Sequence, residues 1–87
     1  MLELRDLHRT AETVFRVALL LDGKRFEFTA EVTHAEESLR SVAFRGLSDE
    51  AVYELTNSDE YPRFARTFWR VVDGEAVMLP IRFERTE

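Results

Sequence analysis

The chain has no cysteine, and its 87 residues include only three glycines, two prolines, two histidines and one tryptophan. Without cysteine there is no disulfide framework, no thiolate nucleophile and no cysteine-bearing zinc or iron–sulfur site. So little glycine and proline leaves no linker, repeat or low-complexity tract. The isolated Gly23, Gly46 and Gly74 match neither a dinucleotide-binding loop nor a Walker loop. Long apolar runs are lacking too: Val17 to Leu21 is the longest uncharged one, far short of the ~20 residues that cross a bilayer. Residues 1–12 carry Glu3, Arg5, Asp6, Arg9 and Glu12, unlike a signal peptide, so the expectation is a soluble, cytoplasmic protein with no membrane partner.

Positive charge is in deficit, with 12 Lys and Arg against 17 Asp and Glu, a net charge of −5. Such a surface repels phosphate backbones and lacks the counterion-release term that drives nucleic-acid binding, so a nucleic-acid partner is disfavoured. The length suits one domain over residues 1–87. A chain of this size buries only about 60–65% of its unfolded surface, so a partner subunit is an effective way to extend its core.

What is present begins with a hairpin over residues 13–33. Thr13 to Leu21 and Lys24 to Thr33 are rich in β-branched and aromatic residues and flank Asp22-Gly23, a dipeptide suited to a two-residue type I′ turn. With Leu21 opposite Lys24, the pairs Leu19/Phe26, Val17/Phe28, Phe15/Ala30 and Thr13/Val32 share one face. Leu20/Arg25, Ala18/Glu27, Arg16/Thr29 and Val14/Glu31 share the other. One face is core and the other mixed. A slip of one residue destroys the separation, so the register is strongly specified.

Residues 39–45 admit two readings. Thr33-His34-Ala35-Glu36 has the form of a capping box, and Ala35, Leu39, Val42 and Ala43 then lie on one helical face. The favoured reading is a third strand, with Val42 and Phe44 inward and Ser41, Ala43 and Arg45 outward, because an isolated hairpin is marginal. Ser48-Asp49-Glu50 starts a short helix over residues 49–56. A second helix spans residues 61–73, with Pro62 in the first turn and Gly74 just past its end. At ~100° per residue, Tyr61, Phe64, Ala65, Phe68, Trp69, Val71 and Val72 fill an arc of roughly 160°. Residues 76–84 alternate as a last strand, placed at an edge by Pro80. The expected fold is a two-layer α+β domain whose antiparallel sheet of 3–4 strands is packed by these two helices.

Chemistry-bearing groups are sparse. His8 and His34 have no second histidine at ligand spacing, and the serines Ser38, Ser41, Ser48 and Ser58 sit in loop or cap contexts. The carboxylate pairs Glu36/Glu37, Asp49/Glu50 and Asp59/Glu60 are adjacent in sequence, so their side chains diverge. No catalytic residue, cofactor or metal is expected. Two features rise above this background. Arg63, Arg66 and Arg70 form a stripe within about 60° on the polar side of the second helix, capable of gripping an acidic group. Trp69 lies at the margin of the apolar arc, and Trp with Arg is the composition of a binding hot spot. Each also has a plainer reading, as a solvated face and as a core residue reaching the rim. The outer hairpin face, with Val14, Ala18 and Leu20, is a further candidate contact.

The function these residues favour is a small acidic non-catalytic binding module for a protein partner, able to self-associate through a strand edge or the outer hairpin face. One alternative is a helix-turn-helix-like nucleic-acid binder using Arg63, Arg66 and Arg70, followed by a hairpin wing. Another is a small enzyme whose site, at a dimer interface, uses His34 or the Tyr53 and Tyr61 hydroxyls.

Overall fold

A computed structural model of the chain describes residues 1–36 and 39–83. It is an antiparallel five-stranded sheet in the order β4-β3-β2-β1-β5, with two helices, and so an α+β fold. The strands are β1 (Leu2–Ala11), β2 (Val14–Leu21), β3 (Lys24–Glu36), β4 (Leu39–Arg45) and β5 (Ile81–Phe83); α1 (Asp49–Thr56) and α2 (Tyr61–Val72) lie between the last two.

The β2–β3 hairpin has the register set by its alternation, from Leu21↔Lys24 to Val14↔Glu31. Asp22 and Gly23 both have positive φ, 50° and 85°, as the type I′ turn requires. Residues 39–45 form a strand rather than a helix, with Ala30↔Phe44 and Val32↔Val42 on the core side. The capping-box reading fails because residues 33 to 36 continue β3; Glu37, Ser38 and residue 84 of the expected last strand lie outside the described residues.

Two expectations are corrected. The sheet has five strands because residues 2–11 form β1 in its interior, paired with both β2 and β5. Its alternation is broken by a bulge between Leu4 and Asp6, where Arg5 is the extra residue. Leu2, Leu4 and Leu7 therefore all face the core, at 0%, 0% and 7% exposure, while Asp6 turns outward opposite Ala18. The last strand also begins at Ile81 rather than Ala76. A cis Leu79-Pro80 bond precedes it, and among the described residues Ile81–Phe83 pair with Leu4, Glu3 and Leu2. Among the described residues, the chain after α2 adds one strand to β1.

Both helices cover the same face of the sheet. Ser48 caps α1, its Oγ accepting from the Ala51 N–H at 3.1 Å, and Leu55 is wholly buried. The amphipathic α2 buries Phe64 and Phe68, and the Phe68 ring meets Phe15 of β2 edge-on at 5.6 Å. It ends where Gly74 adopts φ 98°, with the Gly74 N–H on Val71 O and the Glu75 N–H on Arg70 O. That pair of bonds is the Schellman arrangement, which only a residue tolerant of positive φ completes without strain. No described helix is long and apolar enough to cross a membrane.

Candidate interaction surface

The sheet has two edges of unequal character. Among the described residues, β5 contributes three at one side, whereas β4 runs for seven at the other and pairs only with β3. The direction of β4's backbone groups follows from the hairpin. Residues flanking a two-residue loop form a hydrogen-bonded pair, so Lys24 and every second residue after it on β3 face β2. The Val32 N–H on Thr13 O at 2.8 Å keeps this phase to the end of the hairpin. Thr29, Glu31 and Thr33 therefore bond β4, at Arg45, Ala43 and Ser41. The N–H and C=O groups of Arg40, Val42 and Phe44 point to the open edge.

Beside that edge runs an apolar stripe. Val42 and Phe44 stay half-buried on the helix side of β4, as do Tyr61 and Trp69 of α2, all packed against the core. Phe44 contacts Phe28 at 4.9 Å and Tyr61 at 6.4 Å between ring centres. Burial against these rings raises the pKa of the Tyr61 hydroxyl, since ionisation would strand a charge there. At the other end of the stripe the Arg40 guanidinium lies 4.6 Å over the Trp69 ring and bonds Asp73 at 2.5 Å. Edges are commonly blunted by charge, proline or bulges. Here Arg40 and Arg45 stand near the two ends, and Ser41 to Phe44 carry neither charge nor proline.

Next to Trp69, at the end of the sheet, is an open cleft of about 270 Å³ lined by residues including Arg9, Phe15, His34, Arg40 and Asp73. Its cations are already engaged. Arg9 donates to the Glu12 and Val72 carbonyls at 3.0 and 3.1 Å and lies 5.0 Å over the Phe15 ring. That ties β1 to the C-terminal end of α2, where a cation is favoured. Arg40 is held by Asp73 and Trp69 as above. The cleft is thus a clamp between strands and helix.

The residues expected to bind are divided by this arrangement. Trp69 is half-buried and joins the β4 stripe. Arg63, Arg66 and Arg70 are all exposed on the side of α2 away from the sheet, and Arg70 bonds Glu75 at 2.6 Å. Of the groups named for the enzyme alternative, His34 and Tyr53 stand far apart within one copy. His34 lies ten residues along β3 from Lys24, about 30 Å at strand rise, whereas Lys24 bonds Glu54 of α1, next to Tyr53, at 3.2 Å. His8 faces the opposite side of the sheet, bonded to Asp6 at 3.1 Å. Among the described residues no group of three or more His, Cys, Asp or Glu could hold a metal ion.

Arg40, Val42 and Phe44 are not among the expected binding residues, and Tyr61 is expected only in the enzyme alternative. The inward positions of Val42 and Phe44 were readable from alternation, but their place at an edge depends on strand order, which pairing across the whole chain decides. No known protein family, curated protein or solved structure matches the chain, so its functional reading rests on the geometry of this surface.

Proposed function

We propose that the chain is a small, non-catalytic binding module of one domain, working in the cytoplasm, that recognises protein by adding a strand to β4. The observation that carries this reading is the open row of Arg40, Val42 and Phe44 backbone groups running beside the stripe of Val42, Phe44, Tyr61 and Trp69. In strand addition, main-chain hydrogen bonds supply affinity and the flanking side chains supply selectivity. Trp69 and Tyr61 are amphipathic aromatic anchors of the kind that dominate binding energy. The exposed Arg66 adds positive charge beside them, on a chain otherwise acidic, and steers acidic segments of a partner.

The test is capture of partners by wild type and by Val42→Pro. Proline removes an N–H that points away from β3, so the internal ladder and the fold survive, while an added strand loses a bond and meets the ring. A protein retained by wild type and by Tyr53→Ala but lost by Val42→Pro supports the reading. Equal capture by all three overturns it.

A further inference from the structure

Resting on that reading, we propose that the strand added to β4 is the β4 of a second copy, antiparallel, about a twofold axis through Val42. The edge is complementary to itself in one register. An antiparallel partner keeps side chains on a common face only when residues of equal parity oppose each other. The outward backbone groups of Arg40, Val42 and Phe44 are all satisfied when Val42 meets Val42 and each Arg40 meets Phe44 of the other copy. Shifting by two residues so that Val42 meets Phe44 sets Arg40 opposite Gly46, past the end of β4, and the opposite shift sets each Arg40 against Val42 instead of an aromatic ring.

The side chains agree with that register. Arg40 of one copy, already seated on Trp69, comes opposite the Phe44 ring of the other, which is seated on Tyr61. A cation thereby meets an aromatic cluster at both ends of the seam, an attraction of the guanidinium-on-ring kind. On the outer face Ser41 opposes Ala43, and Leu39, 63% exposed, opposes the stem of Arg45. No two charges of one sign stand directly opposite, and the uncharged Ser41–Phe44 segment occupies the centre. The contact is isologous, as a twofold interface must be. The stripes of the two copies join, and Val42, Phe44, Tyr61 and Trp69 gain the cover that one copy does not give them. The exposed arginines of α2 remain in water on the side away from the sheet.

The register is testable because the chain has no cysteine of its own. Ser41 and Ala43 give their backbone groups to β3, so across the seam they form a non-hydrogen-bonded pair with Cα atoms about 4.5 Å apart, within reach of a disulfide. Ser41 to its own mate is about 8 Å, beyond that reach. The experiment mixes equal amounts of Ser41→Cys and Ala43→Cys under mild oxidation, beside each alone, and measures the mass of wild type and Val42→Pro by sedimentation over a range of concentrations. Expected are a covalent dimer in the mixture and little in either variant alone. Wild type should approach twice the 10.2 kDa of one chain as concentration rises, and Val42→Pro, with unchanged circular dichroism, should stay at one. A wild type that stays monomeric, a cross-link formed by either variant alone, none in the mixture, or a Val42→Pro that still dimerises would each overturn the proposal. If wild type is monomeric while Val42→Pro still loses a captured protein, the strand-addition reading stands and only the second copy falls. If Val42→Pro changes neither capture nor mass, both fall.

Discussion

Single side chains in this protein differ sharply in what they hold. Phe28 is wholly buried beneath Phe44, and Phe28→Ala is expected to cost about 3–5 kcal/mol, read as a fall in the urea midpoint. An 87-residue chain at the usual ~0.05–0.15 kcal/mol per residue has about 4–13 kcal/mol in total, so that one ring is a large share. Arg40→Ala removes a half-exposed ion pair and ring contact, and its expected cost is only about 0.5–1 kcal/mol. Tyr61 gives a pH signature. Its hydroxyl has a raised pKa in the fold, so the unfolded chain ionises first as pH climbs past 10.0. The stability due to neutral Tyr61 is full below that point and is lost as pH rises through the folded value. Melting temperatures between pH 9 and 11 should therefore fall more steeply for wild type than for Tyr61→Phe.

At the scale of the elements, local signals did most of the specifying. Ser48→Ala removes the side-chain acceptor for the Ala51 N–H and is expected to cost about 1 kcal/mol, measurable by denaturant titration. Gly74→Ala forces a Cβ into φ 98° at the end of α2, with open space around it, so its penalty of about 1 kcal/mol is conformational rather than steric. The hairpin, α1, α2 and their caps were legible because each is encoded within about a dozen residues: a turn dipeptide, a period, a cap. β1 was not, because the bulge at Arg5 spaces its core leucines by two and then three, a pattern that fits neither strand nor helix. The start of the last strand was overread, since alternation begins at Ala76 while pairing begins at Ile81. In the candidate site Trp69 was found from its helical angle. Arg40, its partner, sits 29 positions away and on another element, and nothing in either segment alone announces that a guanidinium will rest on that ring.

For the molecule as a whole, the proposed assembly through β4 links stability to concentration. Mass action stabilises whatever binds only the folded form. Melting temperature should rise with protein concentration for wild type and stay flat for Val42→Pro, a comparison that scanning calorimetry makes directly. The other edge behaves differently. Among the described residues β5 offers three, with Pro80 immediately before them, and the length of β1 that they leave unpaired is interrupted by a register shift between Arg9 and Ala11. A sheet with two good edges is bifunctional, like a monomer with two reactive ends, and polymerises into fibrils; a sheet with one is a chain terminator. Among the described residues the β5 side is the shorter and more broken edge, so the proposed seam at β4 gives this protein a valence of one: a second copy fills it and growth stops there.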